Sequence, residues 1–300
     1  MGTSIDIESL LTIVYVLVDD WYQAEGIGWR QHKPGERPIF SDSEMLTLML
    51  AQDFIPYPGE SQYVGFIRAN YGQLFPQLVD QGQFNRRAKG LRLLLEQLRI
   101  SWIKQMGILE EQHFLVDTKP VPVMGYKRSK RQSDFAGSAS YGYCASRKLH
   151  YFGYKLVMLT TLTGMPVYYD LVPAHTDERE AAEVVLQQVS HATIFGDKGF
   201  LGVKWQAWLF NQTGNTIYTP KRCNQADQQP STFEAWLHSI RERIETTFHV
   251  LQNTGRHLEH LLAKSVVGLC TRVAAKLTSH TLKFVLARDF GIHVQTFQQV

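Results

Sequence analysis

The hydrophobic period of this 300-residue chain changes near Gly107, and that change constrains the fold more than any other feature. Before it, apolar residues recur at helical spacing: Leu10, Leu11, Val14, Leu17 and Val18 within Ile5 to Trp21, then Leu91, Leu94, Leu95, Leu98 and Trp102 in a long helix opened by Asn85. Ser41-Asp42-Ser43-Glu44 has the Ser-x-x-Glu spacing of a capping box and predicts a helix start ahead of Met45 to Phe54. Pro56, Pro58 and Gly59 then break the chain. A helix from about Ser61 to Asn70, a segment Leu74 to Val79 and a turn at Gln81-Gly82 follow. Residues 1–106 therefore read as a helical N-terminal domain. A short helix, a glycine turn and a helix bearing Arg86, Arg87 and Lys89 fit a helix-turn-helix, with a plain helical bundle as the alternative.

After Gly107 the pattern is strand-like. Phe114 to Val116, Leu149 to Thr161 and Pro166 to Val172 read as strands, the last two joined as a hairpin at Thr163-Gly164. Asp177 to Val189 reads as a helix, Ala192 to Phe195 as a strand, Val203 to Asn211 as a helix and Thr216 to Thr219 as a short strand. Strand, hairpin, helix, strand, helix, strand is the order of an RNase H-like α/β core with a mixed sheet, here spanning residues 107–255. Arg131 to Gly142, which contains Asp134, reads as a flexible loop, and Arg222 to Ser231 as an exposed loop before another helix. Residues 256–300 read as a helical extension packing on the core.

Three carboxylates occupy distinct frames in this pattern. Asp117 and Asp197 each end a short apolar β-prone run, so two strand ends can bring them together. Glu242 and Glu245 compete for the third place. At about 100° per residue, Leu237, Ile240, Ile244, Phe248 and Leu251 share one helix face. Glu242 lies opposite that stripe, whereas Glu245 sits on its flank, where a side chain can lean over the edge of a core. Arg241 is one turn earlier and can pair with Glu245 or reach a phosphate. Hard oxygen ligands from separate elements suit Mg²⁺ or Mn²⁺, and two such ions can hold the attacking and leaving oxygens of a displacement at phosphorus.

Charge points to a polyanion. The net charge is only +3, but Lys119 to Lys155 holds eight Lys or Arg against one Asp, and Gln83 to Lys104 holds six against one Glu. Cys144, Cys223 and Cys270 are far apart, which supports neither a disulfide framework nor a zinc site and suits a reducing cytoplasm. The apolar run Leu10 to Val18 is too short to span a bilayer and follows Asp6 and Glu8, so neither a membrane segment nor a signal peptide is expected. His150, His175 and Asp177 read as structural or surface groups, and Trp205 and Trp208 as core.

Taken together, several frames resemble the DDE transposases of bacterial insertion sequences, most closely insertion-sequence family 982. They are Val116-Asp117-Thr118-Lys119-Pro120-Val121-Pro122-Val123, Tyr151-Phe152-Gly153-Tyr154-Lys155, Gly196-Asp197-Lys198-Gly199-Phe200, and Arg241 and Glu245 with Phe248. The spacings, 80 residues from Asp117 to Asp197 and 48 from there to Glu245, suit that core. The resemblance implies that Asp117 bridges two Mg²⁺ ions, with Asp197 completing one site and Glu245 the other. It further implies cleavage of double-stranded DNA at the element's terminal inverted repeats and strand transfer into target DNA, with a homodimer in the DNA complex. Related chains carry Tyr-x-x-Arg-x-x-x-Glu-x-x-x-x-x-x-Lys, whereas here the Tyr and Lys positions are His238 and Gln252. Lys119, Lys155, Lys221 and Arg241 are the substitute candidates for phosphate contact, with Arg86, Arg87 and Lys89 as DNA contacts of the front domain. A nuclease on the same core that never joins strands, and a non-catalytic DNA-binding protein derived from a mobile element, are the competing readings.

Overall fold

The computed structural model describes residues 5–28, 36, 38–126, 131–145, 148–221 and 228–297. The helices before Gly107 are α1 (Ile7–Trp21), α2 (Asp42–Ala51), α3 (Glu60–Tyr71), α4 (Gln81–Gly90) and α5 (Arg92–Gln105). Next come strands β1 (His113–Met124), β2 (Ser140–Cys144), β3 (Leu149–Thr161) and β4 (Pro166–Pro173). The chain continues through α6 (Glu178–Leu186), β5 (Thr193–Phe195), α7 (Val203–Thr213), β6 (Thr216–Tyr218), α8 (Ser231–Asn253) and α9 (Val266–Phe290). It divides into two compact units, one of Met1–Trp102 with Leu251–Val300 and the other of Ile103–Val250. Among the described residues no helix is long and apolar enough to cross a membrane.

In the first unit the caps follow the sequence. The Asp6 side chain accepts the Ser9 N–H at 2.8 Å, and Ser41 and Glu44 complete a reciprocal capping box. Two boundaries differ from expectation. Gln81-Gly82 is the first turn of α4 rather than a loop, because Asp80 caps it by accepting the Gln83 N–H at 2.8 Å. The long helix expected from Asn85 is interrupted at Leu91, whose φ of −96° and ψ of 2° separate α4 from α5.

The C-terminal segment belongs to this first unit, where the sequence reading attached it to the core. Buried charge explains the placement. Asp53 is buried at the end of α2 and needs a cation, and Lys276 of α9, equally buried, donates from Nζ to Asp53 Oδ1 at 2.6 Å and to the Thr254 carbonyl at 2.7 Å. Nearby, Glu60 accepts from Gln81 at 2.7 Å and from Asn85 at 3.0 Å and lies 3.7 Å from Arg272. Ser279 adds a bond to the Leu50 carbonyl at 2.9 Å.

The second unit is built on one mixed sheet. β3 is its spine: β1 pairs antiparallel along one edge, while β4 and β2 share the other edge end to end, against Tyr154–Thr160 and Leu149–Gly153 respectively. β5 runs parallel to β1, and β6 parallel to β5. β1 is far longer than the expected Phe114 to Val116 and passes through Pro120 and Pro122. Its pairing with β5 covers only His113–Leu115, so the prolines, which bring no N–H, fall where the second edge asks for no donor. The segment read as a flexible loop runs into the first three residues of β2, and Phe135 in it is buried against Tyr154. Residues 222–227 of the other expected loop lie outside the described residues. Gly164 turns the β3–β4 hairpin at φ +88°, a conformation that favours glycine.

Replacing Lys276 by Ala is expected to lower stability by roughly 3–5 kcal/mol, because Asp53 would be left buried without its cation. Asp53→Leu combined with Lys276→Met should restore most of that loss, and urea unfolding curves of the two variants check both statements.

Candidate active site

The β1–β5 register is what brings two acids together. Phe114 pairs with Ile194 and Leu115 with Phe195, so continuing the same register sets Asp117 beside Asp197, each just past the end of the shared ladder. Apolar anchors hold the frames, since Phe114, Leu115, Val116, Ile194 and Phe195 are all buried. Asp117 accepts the Thr118 N–H at 2.7 Å, and Asp197 caps the short helical turn Lys198–Phe200 by accepting the Lys198 N–H.

Glu245 arrives on α8, whose phase is as expected: Leu237, Ile240, Ile244, Phe248 and Leu251 are all buried. The helix is clamped on another side by Thr247 Oγ1, which donates to the Gly164 carbonyl at 2.9 Å, and by Arg243, which donates to the Leu162 carbonyl at 3.0 Å. Its first turns rest on an aromatic cluster in which Trp236 meets Phe195 edge-on, ring centres 5.2 Å apart. These contacts hold α8 with Arg241 turned toward Asp197 and Glu245 beside Arg241. Arg241 Nη2 lies 3.5 Å from Asp197 Oδ1 and 3.9 Å from Glu245 Oε1, so one guanidinium sits between two of the three acids. Glu242 instead faces His238 at 3.7 Å.

Asp117 is half-buried, and burial pushes its carboxyl up to about 7. The Thr118 N–H and the Arg241 charge pull it down, whereas the charges of Asp197 and Glu178 push it further up. Glu178 was not among the sequence candidates. Its Oε1 accepts from the Thr118 hydroxyl at 3.3 Å, and a Cβ on Gly199 would overlap its carboxylate, so the glycine two residues after Asp197 allows this close approach. The signal available in sequence was the Asp177-Glu178 pair opening α6, where Asp177 serves as the N-cap. A fourth acid thus lies beside Asp117.

Of the basic candidates, Lys119 is two residues beyond Asp117 on β1 and therefore projects to the same face of the sheet. Lys155 donates to the Thr176 carbonyl at 2.7 Å and lines a groove of about 690 Å³ with Glu178 and Gly199. Lys221 lines a neighbouring groove of about 630 Å³ with Arg179 and Tyr218. In the first unit Arg87 is committed internally, donating to the Phe40 carbonyl at 2.6 Å and to Asp42 at 2.8 Å, whereas Arg86 on the same helix is exposed and Lys89 half-buried. Trp205 and Trp208, expected in the core, are half-buried, and Trp205 donates to Glu183 at 3.0 Å. His150 and His175 are exposed, as expected of surface groups.

The family described as "Transposase DDE domain" matches residues 108–282. The chain belongs to this DDE transposase family. Its matched span includes Asp117, Asp197, Glu245, Arg241 and Glu178. A solved structure, "Mos1 transposase paired-end complex with left transposon end", is similar at 12% identity over 76% of this chain and 85% of that one, but its TM-score of 0.22 is too low to support a shared fold. No curated protein matches the sequence. DDE transposases generally use divalent metal ions, and the donor chemistry of this site, hard carboxylate oxygens throughout, fits such an ion. Among the described residues no group of three or more His, Cys, Asp or Glu is gathered to hold one as the side chains stand, and Arg241 supplies the positive charge between Asp197 and Glu245.

A carboxyl raised from 3.8 to about 7 keeps its proton on folding, so its contribution weakens the fold as pH rises through that interval. Asp117→Asn is therefore expected to raise the thermal midpoint by several degrees above pH 7 and to leave it unchanged near pH 4, measured in chelator. Equal shifts at both pH values would contradict the assignment.

Proposed function

We propose that this chain is a transposase of an insertion sequence, of the family 982 type, which cuts DNA at the element's ends and joins them to target DNA. The observation that carries the reading is the convergence, inside the matched DDE domain, of two aspartates by strand register and of Glu245 through the shared Arg241. The strand order, with the β3–β4 hairpin on one side of β1 and parallel β5 and β6 on the other, supports an RNase H-like core beneath it.

In this reading Asp117, Asp197 and Glu245 hold Mg²⁺ or Mn²⁺, which when bound stabilises charge on the attacking and leaving oxygens. The chain itself does the positioning. Arg241, only 14% exposed, is set to pair with a phosphate oxygen as well as with the acids. Lys119 and Lys155 extend that positive character along the sheet, and Lys221 does so in the adjoining groove. Water, and in the joining step a DNA 3′-hydroxyl, attacks phosphorus in line, loses its proton and displaces the opposite oxygen, with no covalent bond to the protein. Pairing two element ends calls for two copies of the chain in the working complex.

Asp117→Ala, Asp197→Ala and Glu245→Ala are each expected to lower Mg²⁺-dependent nicking of element-end DNA by about a hundredfold or more. Undiminished nicking by any of them removes that residue from the site. Supplying pre-cut ends with target DNA should yield joined strands, whereas hydrolysis without joining would make the protein a nuclease.

A further inference from the structure

Three tyrosines gather around β2, the edge strand of the sheet. Tyr126, Tyr141 and Tyr143 are 48%, 52% and 54% exposed, unusual for large aromatic side chains that touch one another. Period-2 alternation puts Tyr141 and Tyr143 on the same face of β2, opposite Phe152 and His150 of β3. The rings form a chain, with centres 5.3 Å apart for Tyr126 and Tyr141, 6.0 Å for Tyr126 and His150, and 4.6 Å for Tyr143 and His150. Phe152, the cross-strand partner of Tyr141, meets it edge-on with ring centres 5.0 Å apart.

The patch opens into a groove of about 690 Å³ lined by Tyr141, Tyr143, His150, Lys155, Arg179 and Gly199, the last only two residues beyond Asp197. The groove itself takes positive charge from Lys155 and Arg179, set beside Asp177 and Glu178, and the sequence segment Lys119 to Lys155 that supplies Tyr141, Tyr143, His150 and Lys155 holds eight Lys or Arg and one Asp, a balance suited to a phosphate backbone. Flat exposed rings add what lysines cannot, a surface for the faces of bases. In a duplex those faces are covered by neighbouring pairs, so only bases out of the stack can use the rings.

We propose that Tyr126, Tyr141, Tyr143 and His150 form a stacking platform for unpaired nucleotides of a DNA strand running along this groove to the acids. The proposal rests on the transposase reading for the identity of its ligand. It adds a subsite that takes up strand separated from its complement beside the cleavage point.

The test compares binding of the full-length protein to a short blunt duplex and to the same duplex carrying an oligothymidine tail. The tailed duplex is expected to bind roughly tenfold or more tightly. Tyr141→Ala with Tyr143→Ala should remove that increment and leave blunt-duplex affinity unchanged, while Tyr141→Phe with Tyr143→Phe should retain it. An increment that is absent, or that survives the alanines, overturns the platform and leaves the transposase reading standing. Failure to bind either DNA overturns both. A change in sedimentation from dimer to monomer in the alanine variant, with the increment intact, would make the face a contact between copies of the chain and also overturn the proposal.

Discussion

The parallel pairing of β1 with β5 is the constraint on which the site depends. It spans three residue pairs, yet it decides whether Asp117 and Asp197 stand side by side on one face of the sheet. A slip by one residue would turn one carboxylate to the other face of the sheet. Register is secured by burial on both sides: Phe114, Leu115, Ile194 and Phe195 have no alternative position that keeps them from water. The antiparallel pairing of β1 with β3 from Phe114 to Met124 then keeps the longer strand from shifting.

The two units handle buried charge in opposite ways. In the first, Asp53 is matched by Lys276 at 2.6 Å and the helices close around the pair. In the second, Asp117 faces the charges of Asp197 and Glu178, and the Thr118 N–H and Arg241 offset its burial only in part, so the site works against its own fold until more positive charge arrives. Such local frustration is expected where chemistry is done and not where the chain is only being held together.

Much of this was legible in the residues, and the misses share a cause. Helical phase separated Glu245 from Glu242 because the stripe Leu237 to Leu251 is amphipathic, and the structure sets Glu245 3.9 Å from Arg241 and Glu242 against His238. The β3 boundaries, Leu149 to Thr161, are as expected, with Leu156 to Leu159 as the apolar run within them. By contrast β2, with the sequence Ser-Tyr-Gly-Tyr-Cys, has a glycine at its centre and no apolar face of its own, and becomes a strand only because β3 offers an edge. Pro120 and Pro122 hid the length of β1 for a similar reason, since tolerance of proline depends on which edge is paired. The destination of the C-terminal helix turned on Lys276, which as a letter looks like any surface lysine. Glu178 was hidden because its proximity to Asp117 runs through Thr118 and Gly199, residues far apart in sequence.

β2 and β4 occupy the same edge of β3 end to end, while β1 holds the other edge with its aspartate. Residues in β2 can therefore be exchanged, or the connection from β1 to β3 lengthened, without disturbing the pairing that aligns Asp117 with Asp197. The architecture keeps the strand that carries the exposed tyrosines apart from the strand pair that aligns the two aspartates, so a change in the one need not move the other.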